Sequence, residues 1–312
     1  MADNINIILA TDKNYAQHAT VAIASVLLNT HAPKNIHIFV IDDNIDTDNK
    51  EKMLLSVDKL GGRISFIESN EKTLKNVFVS GNLTRAAYLR LDIPNMVPLN
   101  VDKIIYIDCD LLVLSDIEQL WETDLRGKPL AATEDFGILS SRVKRAEKIK
   151  NLDWKREYSY FNSGVLLIDV KLWRERNYAN KLLTLATTRG FRHHDQDVLN
   201  YLFMNNWAKL DMKWNLIPPV FNMPLCTVLN SDLRKKAIEA LKEPAILHYA
   251  GGYKPWEYES VKGFNDKYYE FLSCTEYCNE KMPQPNPKKK GHSLRRQLWR
   301  LKWAQFISNI FG

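Results

Sequence analysis

Glycine is scarce in this sequence, 12 among 312 residues, and none of it falls in a G-x-G-x-x-G or G-x-x-x-x-G-K-S/T pattern. Dinucleotide oxidoreductases and P-loop enzymes therefore lose their usual backbone cradle for phosphate. No Gly-rich loop with Arg or Lys follows the first apolar run either, which weakens a nucleotidyltransferase reading. Any bound phosphate must be neutralised by a metal and by isolated cations. Cysteine is equally sparse: Cys109, Cys226, Cys274 and Cys278 show no zinc-type pairing, a pattern that fits a reducing cytoplasm. The spacing of Cys274 and Cys278 places them on one face of a helix. No run approaches the roughly 18–20 apolar residues of a membrane span. The first apolar run follows Asp3 without a basic stretch, unlike a secretory signal. Acid is missing from one place: residues 281–312 hold eight Lys or Arg and no Asp or Glu. Removing those eight charges from the net +6 leaves the rest at about −2. A near-neutral body argues against nucleic acid as a partner, and the tail points to an anionic surface.

What is present is an alternation of short β-branched runs with helical patterns. Ile5 to Ala10, Ile36 to Ile41, Ile64 to Ile67 and Lys103 to Ile107 read as strands. Between them, a helix runs to Leu28 with Asp12 or Asn14 as its cap, and another covers Asp48 to Lys59. Thr84 caps a segment that Pro94 ends. This order predicts an α/β fold with a mostly parallel sheet covered by helices on both faces. Ligands then sit at the carboxyl ends of strands, where Asp12, Asp108 and Asp110 fall. Further on, Asn162 to Ile168 reads as a strand, Lys171 to Arg176 as a short helix and Asp195 to Phe203 as a longer one. Residues 137–160, charged and aromatic without clear period, read as a mobile loop or lid. The expected division is a catalytic domain over 1–278, with a nucleotide-binding half (about 1–115) and an acceptor half (about 116–278). A Pro/Lys linker follows at 279–292, then a basic aromatic helix at 293–312. In that helix Trp299, Trp303, Phe306 and Ile310 make one stripe between Arg295, Arg296, Arg300 and Lys302. Leu294, Leu298 and Leu301 add a second apolar face, so a helix docked on the body competes with the interfacial membrane helix that the flanking charges favour.

Three segments carry chemistry. Asp108 and Asp110 leave the strand Lys103 to Ile107, where alternation puts both on one side and Cys109 on the other. Two hard oxygen ligands at a strand end suit Mg²⁺ or Mn²⁺ bridging to phosphate, although Asp-x-Asp alone is common in solvated turns. His248 follows the apolar stretch Ala245 to Leu247; by itself it reads as a structural imidazole, but with the Asp pair it favours Mn²⁺. Gly251 and Gly252 would let backbone N–H groups approach phosphate, and Lys254 supplies a point charge. Asp195-Gln196-Asp197 opens a helix, which capping alone would explain.

In order along the chain, Ala10 to Tyr15, Tyr88 to Leu91, Tyr106 to Asp110, Phe161 to Val165, Asp195 to Asp197 and His248 to Trp256 resemble the retaining glycosyltransferases of family 8. Within that family the pattern is similar to the bacterial lipooligosaccharide and lipopolysaccharide galactosyl- and glucosyltransferases. The resemblance implies a GT-A fold, Rossmann-like, with a small basic helical membrane-attachment segment at the C-terminus. It implies transfer of galactose or glucose from UDP-galactose or UDP-glucose to a lipid-linked oligosaccharide, forming an α-glycosidic bond. The implied cofactor is Mn²⁺, with Mg²⁺ as the alternative, held by Asp108, Asp110 and His248. Ala10, Asp12 and Asn14 would hold the uridine and Tyr15 would lie against the uracil, with Cys109 beside the nucleotide. Arg90 would lie near the donor sugar and phosphates, and Gly251 and Lys254 would hold the diphosphate. Asn162, Asp135, Asp195 and Gln196 would contact the transferred sugar. The implied location is cytoplasmic, peripheral on the inner membrane. Two other readings compete: a glycogenin-like transferase that glucosylates a protein or itself, and a nucleotide-sugar-binding protein without turnover.

Overall fold

In the computed structural model, which describes residues 4–69, 86–189, 191, 194–222, 225, 228–252, 254–257 and 264–279, the apolar runs pair into a seven-stranded sheet. The strands in chain order are β1 (Ile5–Thr11), β2 (Ile36–Asp42), β3 (Arg63–Glu68), β4 (Lys103–Ile107), β5 (Leu111–Val113), β6 (Leu130–Glu134), β7 (Phe161–Asp169), β8 (Ala208–Lys209) and β9 (Ile246–His248). The sheet runs β3-β2-β1-β4-β7-β6-β8, and β5 pairs with β9 in a separate ribbon. Neighbours from β3 to β4 are parallel, as are β6 and β8; only β7 runs against its neighbours β4 and β6. The mostly parallel α/β sheet expected from the alternation is present.

Period-two alternation sorts these strands onto two cores. Ile7, Leu9, Ile105, Ile107, Val165 and Leu167 join one cluster; Ile8, Ile104, Tyr106, Leu166 and Ile168 join the other. Burying each such aliphatic side chain is worth about 1.5–3 kcal/mol, so the central strands are the most firmly held part of the molecule. The longer helices are α1 (Ala16–Leu28), α2 (Thr47–Lys59), α3 (Arg142–Leu152), α4 (Tyr178–Thr188), α5 (His194–Leu202), α6 (Ser231–Lys242) and α7 (Phe264–Leu272). The chain order reverses between β1 and β4, so the carboxyl ends of these two strands flank a crevice. Among the described residues no helix is long and apolar enough to cross a membrane.

Several local expectations are corrected. Residues 142–152 are not a loop: Ser141 accepts from the Lys144 N–H at 3.3 Å and opens α3, and Asp153 closes it in the left-handed region, while 153–160 are irregular. Below α3, Ile138, Leu152, Trp154 and Tyr160 form a satellite core. The period was hidden because α3 points a lysine, Lys148, inward alongside Leu152. Pro94 does not end a helix; it stands in the first turn of the short helix Ile93–Met96, where its missing N–H goes unneeded. Asp12 does not cap α1 as its N-cap residue; its carboxylate accepts from the Asn14 and Tyr15 N–H groups in the preceding turn. Helix α7 stops at Leu272, so Cys274 and Cys278 lie in turns and not on a helix face. Thr84, Cys226, most of the 279–292 linker and the 293–312 helix lie outside the described residues.

Candidate active site

The main chain leaves β4 at Ile107 and bends through Asp108–Asp110 into β5, so the two carboxylates stand in the bend just past the strand end. β9 pairs antiparallel with β5, with His248 opposite Leu111, which brings the imidazole beside both acids. His248 Nε2 lies 3.2 Å from Asp110 Oδ1 and 3.6 Å from Asp108 Oδ2. One ligand atom from each residue fits within a sphere of contacts no wider than 4.8 Å.

The hydrogen bonds fix the tautomer of His248. Asn162 Oδ1 accepts from the Gly164 N–H at 3.0 Å, so the Asn215 group facing it at 2.8 Å must be the donating Nδ2. Asn215 then turns its Oδ1 to His248 Nδ1, 2.8 Å away, and that nitrogen carries the proton. The Nε2 lone pair is left facing two carboxylates. Three electron-pair donors converge there, which is the arrangement that a divalent cation satisfies. A mixed carboxylate and imidazole set favours Mn²⁺ over Mg²⁺. Burial alone would raise the Asp110 carboxyl, but the Lys254 ammonium beside it holds it well below the usual carboxylate range.

Gly164 makes the approach possible. A Cβ on this residue would stand 2.2 Å from His248 Cε1 and 2.8 Å from Asp108 Oδ2. Its carbonyl accepts the Asp108 N–H at 2.9 Å, tying the acidic bend to β7.

Arg90 joins this centre to a second cluster. Its guanidinium is 2.9 Å from Asp108 Oδ1 through Nη2 and 3.2 Å from Asp195 Oδ2 through Nε. Nη1 donates to the Ser163 carbonyl at 3.0 Å, and the group lies 4.5 Å from the Tyr106 ring centroid. Tyr106 also donates its hydroxyl to Asp108 at 2.7 Å. Burial opposes the charge of Arg90, but Asp108 and Asp195 outweigh it and raise its pKa further. Burial pushes Asp195 up, with Arg90 opposing. In the second cluster Gln196 and Asn162 both donate to Asp135 Oδ2, at 3.1 and 3.2 Å, and Gln196 Oε1 accepts from the Ser163 N–H at 3.1 Å. Asp135, Asn162, Asp195 and Gln196 are thus one connected group beside the three-ligand centre.

The third set lies at the end of β1 and in the loop after β9. Ala10 offers its carbonyl to the Cys109 thiol at 3.0 Å, which turns Cys109 away from the acids as alternation predicts. Asn14 donates to Asp12 at 3.2 Å, and Tyr15, 38 % exposed, presents a ring next to them. Gly251 has φ 92°, a conformation that residues with a Cβ rarely adopt. Lys254 pairs with Asp110 and donates to the Tyr249 carbonyl at 2.9 Å. Two residues on, Trp256 stacks on His18 at 3.7 Å and 10° between planes, and Tyr15 meets both edge-on. Burial and then the nearby Lys254 push His18 down to about 3, so it serves as a neutral plate bonded to the Tyr268 hydroxyl at 2.6 Å.

Of the residues singled out in the sequence, Asp108, Asp110, His248, Lys254, Arg90, Asp195, Gln196, Asn162 and Asp135 are joined by the contacts above, while Asp197 turns away to pair with Lys148. Asn215, Ser163, Tyr106 and His18 were given no role there. Ser163 and Tyr106 sit inside motifs already noted; Asn215 has no sequence signal, since it reaches the site from a turn, Met212–Asn215, distant in the chain.

The profile of glycosyl transferase family 8 matches residues 6–260. General stress protein A of Bacillus subtilis is 32 % identical over 278 residues, covering 88 % of this chain and 94 % of that protein. The lipopolysaccharide 1,3-galactosyltransferase of Salmonella typhimurium is 28 % identical, covering 82 % and 74 %. The lipopolysaccharide 1,2-glucosyltransferase of Escherichia coli is 27 % identical, covering 83 % and 75 %. Among solved structures, an active-site mutant of LgtC has a TM-score of 0.75 at 25 % identity, covering 87 % of this chain and 96 % of that one. The galactosyltransferase LgtC in complex with donor and acceptor sugar analogs has a TM-score of 0.77 at 24 % identity, covering 94 % and 100 %. The GT-A-like architecture expected from the sequence is shared with these structures.

Proposed function

Since the chain belongs to glycosyl transferase family 8 and is thereby a glycosyltransferase, we propose that it moves galactose or glucose from a UDP-sugar to a lipid-linked oligosaccharide with retention at the anomeric carbon. The observation that carries this reading is the junction made by Arg90: a three-ligand centre suited to a diphosphate-bound cation on one side, and a group of hydrogen-bonded polar side chains on the other. The names of the lipopolysaccharide transferases among its relatives support an acceptor of the core oligosaccharide kind.

Breaking a glycosyl–phosphate bond builds positive charge on the sugar ring and negative charge on the leaving diphosphate. A divalent cation, Mn²⁺ in our reading, held by Asp108, Asp110 and His248 would act as a Lewis acid on that diphosphate. Lys254 adds a positive charge at the same end, and Gly251 brings backbone N–H groups close. Ala10, Asp12 and Asn14 hold the uridine, and Tyr15 lies against the uracil. Asp135, Asn162 and Asp195 orient the sugar hydroxyls. The Gln196 amide oxygen faces the developing positive charge; an amide is a poor nucleophile, so a covalent adduct on Gln196 is disfavoured. The departing phosphate oxygen takes the acceptor proton, which removes the need for a carboxylate base on the acceptor side. Proton NMR of the first-formed product tests the reading: an α-linkage from an α-linked UDP-sugar is expected, and a β-linkage would overturn it.

The basic tail supports action at the cytoplasmic face of the inner membrane. Each Lys or Arg near an anionic surface is worth about 1 kcal/mol, weakened by salt. Flotation with anionic vesicles is expected to carry the full chain and to leave behind a chain ending at residue 280. Equal flotation of both, or of neither, would remove the membrane from the account.

A further inference from the structure

A buried ion pair stands behind the sugar-facing cluster, on residues to which the proposed chemistry assigns nothing. Lys148 of α3 reaches inward and pairs with Asp197 of α5; their side chains are 3 % and 2 % exposed. Tyr160, fully buried, donates its hydroxyl to the same Asp197 oxygen at 2.6 Å, and its ring lies 5.0 Å from the ammonium. The Tyr160 carbonyl accepts the Asp135 N–H at 2.8 Å. Asp197 is the next residue after Gln196, whose side chain donates to Asp135 at 3.1 Å. Asp197, Gln196, Asp135 and Tyr160 therefore form a closed ring of contacts, and Lys148 is anchored to it at Asp197 and against the Tyr160 ring.

We propose that Lys148 is a positioning residue for the transfer reaction: with Asp197 and Tyr160 it locks the first turn of α5 against β6 and β7 and supplies the positive charge behind the carboxylates that face the sugar. Three acids, Asp135, Asp195 and Asp197, lie close together here, and Arg90 pairs with Asp195. Burial lowers the pKa of Lys148, and Asp197 first, then Asp135, oppose that lowering. A purely structural clamp would not need a charge at all, because a buried ion pair is commonly replaceable by apolar groups of the same size without loss of stability. The placement of the pair one residue from Gln196 gives the charge a use: small displacements of a group at a reacting centre carry large rate penalties.

This inference rests on Asp135, Asp195 and Gln196 being the sugar-facing groups. Lys148→Met alone strands the Asp197 carboxylate in the interior, and a loss of activity there is open to the objection of misfolding. The deciding protein is the full chain carrying Lys148→Met together with Asp197→Asn, which removes both charges, keeps the approximate volume and leaves Tyr160 an amide oxygen to donate to. Melting temperature, UDP affinity by calorimetry, and kcat and KM for hydrolysis of UDP-galactose and UDP-glucose are measured. The expected result is a folded protein with unchanged UDP affinity and KM and a kcat lowered about a hundred-fold. Wild-type kcat in the folded double variant would overturn the inference, as would a double variant that unfolds or that loses UDP affinity in step with kcat, since the pair is then structural only. Failure of the functional reading itself looks different: the wild-type protein would hydrolyse neither UDP-sugar.

Discussion

Asp110→Asn is expected to lower sugar transfer by about a hundred-fold or more while the protein stays folded. The carboxylate works in two directions: Oδ1 lies 3.2 Å from His248 Nε2 as part of the three-ligand centre, and Oδ2 pairs with Lys254. An amide keeps the size of the side chain but loses the negative charge, so both the cation and Lys254 are held less well. The fold does not depend on it, because the two main cores lie on the faces of the sheet and Asp110 belongs to the bend beyond β4. Raising the Mn²⁺ concentration is expected to restore part of the rate, since a weakened site is filled by mass action. A variant with wild-type kcat at limiting Mn²⁺ would remove Asp110 from the centre.

Gly164→Ala tests the same centre by shape alone, without replacing a charged group. The added methyl would stand 2.2 Å from His248 Cε1, 2.7 Å from its Nδ1 and 2.8 Å from Asp108 Oδ2. The backbone has little room to yield, because the Gly164 carbonyl holds the Asp108 N–H and the next residue, Val165, pairs with Ile107 of β4. The imidazole must therefore move, and with it the bond to Asn215 that sets its tautomer. Activity is expected to fall as far as in Asp110→Asn. Overpacking of this kind also costs about 1–3 kcal/mol of stability, so the melting temperature is expected to drop as well. The pair of variants separates chemistry from geometry: one loses rate with the fold intact, the other loses both. Normal activity in Gly164→Ala would mean that His248 does not need its present position.

Why the first half of the chain was readable and the second less so follows from which residues carry the structure. β1, β2 and β4 are buried on both faces and read as unbroken β-branched runs, and their carboxyl ends deliver Asp12, Asp108 and Asp110 by position alone. His248 was legible because it closes a short apolar run, and the ribbon of β5 with β9 does bring it to the acids. The residues that hold those ligands in place were not legible. Asn215 sits in a single turn and reaches His248 only through tertiary folding. Helix α3 concealed its period because the inward position 148 is a lysine whose cost of burial is met by Asp197, 49 positions away. Local pattern records what a segment buries against the sheet; it carries no record of a charge neutralised by a distant partner.

A crevice that cleaves a UDP-hexose with the help of a cation held by Asp108, Asp110 and His248 should release UDP even when no acceptor is present. Release of UDP is measured for the full chain incubated without acceptor, with UDP-galactose or UDP-glucose in turn, first with Mn²⁺ and then with Mn²⁺ and excess EDTA. Slow hydrolysis of at least one donor, abolished by EDTA and restored by added Mn²⁺, is the predicted result. Hydrolysis that proceeds undiminished in EDTA, or no hydrolysis of either donor under any of these conditions, would contradict it.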